Sequence, residues 1–508
     1  MAPTLAIALP QGLTANGITA FAVRLVNALA SRGHACGLIV HPSDAATIDL
    51  GLDPRVRVFG PAGLVPLSNR GGDIDACVPL YRRAIEELAT RSGGRVVLAP
   101  SNHGDCFGIA AALSRDLADR LRVVGWQHSD NAYDALVLSH YERIIHRFVP
   151  VSAHLERVLR ERLPTRTGDI RAIHYGVEAP SEMPHRDAKR AGDTLRLVYT
   201  GRIEHRQKRV LALPAMMREL AQRGTHARLR ILGDGPAMDD LLAACRGMET
   251  IEIVGAVSRS RVIEELDRAH AFVLPSRYEG LSVAMLEAMS RGCVPIVTRT
   301  ESGALEAIEP GVSGIIAEAP PDADEDEAGR ALAISIAELW SAGAARIASL
   351  AAMAHARARD RFSLDRHVDA VEGLLVDVVN QPARAWRRGE RVGFAEGGGG
   401  VPADGVERLA RLLERLRDRA IVVHGTGEHT RRLERTLLDS PARIVAFADD
   451  DRQQWGREML GRAIVEPARA GETGATDVVL SSWMHQEALW SRRAIYESQG
   501  MRVHRIYS

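Results

Sequence analysis

The chain has 508 residues, 46% of them apolar and 26% charged, with 65 basic residues balanced by 65 acidic ones. That length exceeds a single hydrophobic core and predicts about three domains. The composition excludes wholesale disorder and fibrous repeats, and the zero net charge leaves no footprint for nucleic acid. No stretch reaches the ~20 unbroken apolar residues of a membrane-spanning helix. Met1 to Pro10 lacks the basic start of a signal peptide, so a cytoplasmic protein is expected. Cys36, Cys77, Cys106, Cys245 and Cys293 are far apart with no CxxC pair, which predicts free thiols. Only two of the 65 basic residues are lysines, Lys189 and Lys208, so a lysine at a functional position needs a reason.

Taken in chain order, apolar runs of strand length alternate with longer amphipathic stretches, the pattern of βαβ units in a parallel sheet covered by helices. "LAIALP" leads through "QGLTANGITA" into a helix ending at "SRGH". "GLIV", "RVVLAP", "LRVVGWQHS" and "RFVPVS" then complete a Rossmann-like half over residues 1–180. "EAPSEMPHRDAKRAGDT" is polar, contains two prolines and predicts a linker. A second half, residues 195–380, has the strands "LRLVYTG", "ARLRILGDG", "IEIVGAV", "AFVLPS" and "VPIVT". The acids from Asp322 to Glu327 open the helix around "ALAISIAELW", where they complement its dipole. "DRHVDAVEGLLVDVV" predicts a helix crossing back to the first half. Four consecutive glycines mark a tether over about 382–403. Beyond it, residues 404–508 read as a further unit with strands "AIVVH", "RIVAFA" and "DVVLSS". The expected fold class is α/β: two facing Rossmann-like domains plus a third small Rossmann-like α/β domain.

The chemistry concentrates in "SRYEGLSVAMLEAMSRG", residues 276–292, where Glu279 stands eight positions before Glu287. The strand "HAFVLPS" and the helix "LSVAMLEAMSRG" put the turn between them at the carboxyl edge of a parallel sheet, where open α/β folds bind ligands. Gly280 permits close backbone approach, and the N–H groups of Leu281, Ser282 and Val283 open a helix as an anion site. Two acids beside an anion require cations nearby. "YTGRIEHRQKR" supplies Arg202 and Lys208 in one loop, the lysine as a compact charge suited to a diphosphate.

These elements resemble the nucleotide-binding half of glycosyltransferase family 4, retaining sugar transferases with the two-Rossmann GT-B fold. The matching residues are the E-x7-E pair Glu279 and Glu287, the loop Gly201, Arg202 and Lys208, the "GDGP" turn beginning at Gly233, and "TESGALEAIEPGVSGII". The resemblance implies that Glu287 holds ribose hydroxyls, Glu279 the donor sugar, Arg202 and Lys208 the diphosphate, and Gly280, Leu281 and Ser282 give backbone contacts. Arg209 stands where the family usually has a glycine, which puts the loop's shape in question. "ANGITAFAVRLVNALASRGH" resembles the family's first glycine loop and helix, with Gly17 facing the diphosphate from the other wall. His128, in "GWQHSDNAYD", occupies the place of a histidine near the reacting sugar, with His103 as competitor and Asp130 free to orient His128 or touch the acceptor.

The implied function is metal-independent hexosyl transfer from a nucleotide-diphosphate sugar, with no resident cofactor and an acceptor that could be glycan, lipid, protein or small molecule. A lipid acceptor would bring a cytoplasmic enzyme to the membrane periphery. A sugar-nucleotide epimerase of the same fold and a non-catalytic sugar-nucleotide sensor are the alternatives. The tail resembles the N-terminal unit of sugar-nucleotide acyltransferases at Gly425, Gly427, Asp449 to Asp451 and Gly461, with Thr430 replacing the third glycine of a dinucleotide fingerprint. It is open to a ligand or to self-association.

Overall fold

Every residue of the strand Thr4–Leu9 is buried, as a parallel strand covered by helices on both faces requires. It lies at the centre of a six-stranded parallel sheet in the order Arg57–Phe59, Cys36–Val40, Thr4–Leu9, Val96–Ala99, Leu121–Gln127, Ile145–Pro150. The second sheet repeats this winding as Ile251–Gly255, Ala227–Leu232, Leu195–Thr200, Ala271–Leu274, Val294–Thr298, Ile315–Ala317, again all parallel. Numbered within its own half, each sheet has the doubly wound order 3-2-1-4-5-6, which opens a crevice where the winding reverses. Those switch points lie between Thr4–Leu9 and Val96–Ala99, and between Leu195–Thr200 and Ala271–Leu274. The computed structural model describes residues 3–507 except 15, 43–50, 61, 63, 65–66, 68–73, 93, 102, 186–193, 321–322, 395–404 and 483–485.

Both halves belong to one unit, Met1–Val392. The helix Leu364–Val379 returns to the first half, as its sequence predicts, because acids on it meet basic side chains just past the end of the first helix. Arg32 donates to Asp369 at 2.6 Å and to Glu372 at 2.7 Å, and His34 meets Glu372 at 2.6 Å. The acidic cluster also behaves as expected where it is described. Asp324 accepts from the amide of Glu327 and Glu327 from that of Asp324, a reciprocal capping box opening the helix Glu325–Ala342; Asp322 lies outside the described residues. No single helix among the described residues is long and apolar enough to cross a membrane. All five cysteines are free thiols, four of them buried.

The unit Gly393–Ser508 has its own sheet, ordered Glu458–Met459, Arg462–Val465, Arg443–Ala448, Ala420–His424, Asp477–Leu480, Arg502–Arg505. The pair Glu458–Met459 and Arg462–Val465 is antiparallel and the other pairings are parallel. Thr430 has a structural reason to replace glycine. Its buried hydroxyl donates to the Gly425 carbonyl at 2.7 Å and lies 2.8 Å from the Ser481 hydroxyl, tying the glycine turn to the neighbouring strand end. Asp449 accepts from both the amide (2.7 Å) and the hydroxyl (2.6 Å) of Thr426.

Candidate active site

The loop after Leu195–Thr200 contains Gly201, Arg202 and Lys208, and the loop after Ala271–Leu274 contains Glu279 to Ser282. Adjacent strands on either side of the switch point therefore deliver both segments to one place. Lys208 Nζ donates to Glu279 Oε1, which also accepts from the Ser276 hydroxyl at 2.7 Å; Gln207 donates to Oε2 at 3.3 Å. Glu279 is 8% exposed, and its carboxylate is oriented by the Lys208 ammonium and two neutral donors. The Lys208 loop is pinned in turn, because Glu204 accepts from the amides of Gln207 (2.7 Å) and Lys208 (2.6 Å). Arg202 is exposed and its side chain has no partner among the described residues.

Ser282 caps the helix Val283–Ser290 by accepting from the amide of Met285 at 3.3 Å. The amides of Leu281, Ser282 and Val283 have no protein acceptor among the described residues, although Leu281 and Ser282 are 3% and 6% exposed. Unmet donors at the positive end of a helix favour an anion. Gly233 has φ +138°, and a Cβ there would stand 1.8 Å from the Gly201 carbonyl oxygen. The "GDGP" turn thus shapes the Arg202 loop by backbone contact.

Gly280 meets the other half. A Cβ on it would lie 2.2 Å from the carbonyl oxygen of His128, so the close approach expected at this glycine is made by protein backbone. His128 is buried against Phe21 and Tyr175, with its Nδ1 2.5 Å from the Tyr175 hydroxyl. Burial lowers its pKa to about 3, so the ring is neutral at physiological pH. Its Nε2 has no hydrogen-bond partner among the described residues. His103 precedes the helix Gly104–Leu117 at the first half's switch point, with a buried Nδ1 that lacks a partner and a pKa lowered to about 4 by burial and by His41. Asp130 does not orient His128: it lies 2.8 Å from Nε2 of His154, because that histidine sits in the first turn of the neighbouring helix Ala153–Arg162. Gly17 begins the helix Gly17–Ser31 behind the cap Asn16, and a Cβ there would meet nothing within 4 Å.

Glu287 has a partner that sequence reasoning missed. Arg24, on that first helix, donates to Glu287 Oε1 and to the Gly176 carbonyl at 3.0 Å. The available signal was one charge inside the apolar run "FAVRLVNALA". Glu306 also spans the halves, accepting from the amides of Ala153 (2.9 Å) and His154 (3.1 Å) and meeting His174 at 2.7 Å. Burial opposes its ionisation, but these donors outweigh burial and its pKa is lowered. Among the described residues, no group of three or more His, Cys, Asp or Glu is placed to hold a metal ion.

Residues 194–341 match the family model described as glycosyl transferases group 1. Over 123 residues the chain is 35% identical to the alpha-D-kanosaminyltransferase of Streptomyces kanamyceticus, covering 24% of this chain and 31% of that protein. The chain therefore spans less than a third of that relative's length in the match. Sucrose-phosphate synthase from Thermosynechococcus elongatus superimposes with a TM-score of 0.59 at 18% identity, covering 74% of this chain and 98% of its own. The pneumococcal O-GlcNAc transferase GtfA, solved with UDP and GlcNAc, gives 0.56 at 11% identity, covering 75% of this chain and 100% of its own. The crevice between loops 201–209 and 275–283 thus lies in a segment that matches the group 1 glycosyl transferases, within a GT-B fold.

Proposed function

We propose that the chain is a retaining glycosyltransferase of the family 4 type, moving a sugar from a nucleotide-diphosphate sugar to an acceptor without a metal. The observation behind this reading is the meeting of Lys208 with Glu279 beside the unmet amides of residues 281–283, at a sheet's switch point. Breaking the anomeric carbon–oxygen bond develops positive charge on the sugar and negative charge on the departing diphosphate. Fixed donors aimed at that diphosphate lower the barrier without reorganising. Lys208, the unpartnered Arg202 and the helix amides fill that role, with Gly17 leaving space on the opposite wall.

Glu279 takes the donor sugar's hydroxyls and Glu287 the ribose. His128, neutral and with Nε2 unclaimed, offers the reacting sugar a hydrogen bond; its carbonyl packs on Gly280, next to Glu279, which favours it over His103. In a front-face transfer the acceptor hydroxyl attacks as the diphosphate leaves, and its proton passes to a departing phosphate oxygen. No covalent nucleophile is needed. The group 1 match, the kanosaminyltransferase likeness and the UDP of the pneumococcal transferase support a nucleotide sugar as partner. We place the reaction in the cytoplasm, at the membrane periphery if the acceptor is a lipid, and leave the tail unit open to self-association.

A thermal-shift screen of uridine, guanosine and adenosine diphosphate sugars tests the reading. One of the sugars should raise Tm, and Glu287→Ala should abolish that rise. No response to any donor would overturn the reading. Binding with no nucleotide released across a broad acceptor screen would favour a sensor, and loss of all turnover in excess chelator would remove metal independence.

A further inference from the structure

Arg209 stands where the resembling family has glycine, yet keeps a glycine-like backbone, with φ +47°. That conformation is unfavourable for a residue with a Cβ, so other contacts must hold it. The guanidinium supplies four. Nε donates to the Pro275 carbonyl at 2.7 Å, and one terminal nitrogen donates to the Ala323 carbonyl at 3.1 Å. The other donates to the Ser276 carbonyl and the Thr298 hydroxyl, both at 3.1 Å. These acceptors come from two loops and one strand end at the carboxyl edge of the second sheet, including the Glu279 loop. Arg209 is 1% exposed, and every acceptor is neutral.

Among the described residues no carboxylate lies within ion-pair distance of Arg209, and Glu279 is already committed to Lys208, Ser276 and Gln207. Burial lowers its pKa to about 10; the neighbouring charge of Arg277 adds to the effect, and Glu325 offsets only part of it. A buried guanidinium with only neutral partners is incompletely compensated, and an anion arriving nearby removes that deficit.

We infer that Arg209 is a positioning residue that ties the loops of the donor crevice together and adds a buried positive charge that biases the crevice toward diphosphate over less charged ligands. This inference rests on the nucleotide-sugar reading. It assigns diphosphate selectivity to a residue that replaces glycine in the loop.

The test compares each nucleoside diphosphate with its monophosphate, UDP with UMP, GDP with GMP and ADP with AMP, by calorimetry on the full chain. Arg209→Gln keeps some hydrogen bonding without charge, and Arg209→Gly suits the backbone, so one folded neutral variant suffices. In it, diphosphate affinity should fall about tenfold further than monophosphate affinity. Arg209→Lys, which keeps the charge but cannot reach four acceptors, should restore most of that gap. Equal losses for both ligands, or a change in Tm alone, would reduce Arg209 to a structural tie. Failure of wild type to bind any diphosphate would instead remove the nucleotide-sugar reading, and this inference with it.

Discussion

Arg24 in the first half donates to Glu287 in the second, 263 residues away in sequence, with side chains 7% and 18% exposed. Covered pairs of this kind are costly to break from one side, because the remaining charge is stranded. Arg24→Met leaves Glu287, among the described residues, with Arg259 as its ion-pair partner at 3.9 Å, and should destabilise Met1–Val392 by about 3 kcal/mol. The double variant Arg24→Met/Glu287→Leu should recover most of the loss, measured by urea unfolding. Purely additive effects would show that the pair does not couple the halves.

The charges proposed for the diphosphate should separate activity from stability. Arg202 is exposed with no side-chain partner, so Arg202→Met should change stability by no more than about 0.5 kcal/mol. Its rate of nucleotide release should nevertheless fall by about a hundredfold. Lys208→Met should lose at least as much rate and also some stability, since Glu279 then keeps only Ser276 and Gln207. Wild-type turnover in Arg202→Met would remove that residue from the mechanism.

The legible part of the sequence was the part with repetition. Buried central strands such as Thr4–Leu9 and Val294–Thr298 are continuous apolar runs, and alternation with helices predicts the sheets that carry Lys208 and Glu279 to one edge. The strands Arg57–Phe59, Ile315–Ala317, Glu458–Met459, Arg462–Val465 and Arg502–Arg505 carry no such signal in the sequence. They have two to four residues, too few to establish a period, and most mix charges into their pattern. Asp130 shows a different limit, since proximity in sequence suggested His128 while the fold supplies His154. Arg209 adopts a backbone that its residue type disfavours, because tertiary hydrogen bonds to two loops and a strand end outweigh local preference.

Gly280 and Gly17 make opposite predictions from the same substitution. Gly280→Ala puts a methyl group 2.2 Å from the His128 carbonyl, which cannot yield without moving a strand end. It should push the halves apart and cost both Tm and activity. Gly17→Ala meets nothing within 4 Å and should fold as wild type, with any loss confined to donor affinity. Unchanged donor binding in Gly17→Ala would take Gly17 out of the diphosphate wall.

Three buried histidines and the half-buried His103 set the acid limit of stability in the first unit. Burial, helped by neighbouring charges at some sites, lowers His128 and His146 to about 3 and His103 and His367 to about 4. The unfolded chain takes up these protons below pH ~6.5, whereas the native protein resists until much lower pH. Their contribution is therefore complete above pH ~6.5 and is lost as pH falls toward the native values. Each fully titrating histidine adds a slope of about 1.4 kcal/mol per pH unit. His205 works in reverse: Glu325 and Asp240 raise it to about 9, so its smaller, solvent-screened contribution is present below pH ~6.5 and lost as pH rises through 9. Urea midpoints measured from pH 7.5 to 5 should fall steeply on the acid side, before most carboxylates titrate. His146→Gln should flatten that slope by one proton, since the His146 ring is held by the Val123 amide and the Pro382 carbonyl at the amino end of Ile145–Pro150, away from the carboxyl-edge crevice. Because His128 stays neutral, kcat should show no limb near pH 6.5 from it. A flat midpoint over this range would mean that water reaches these rings.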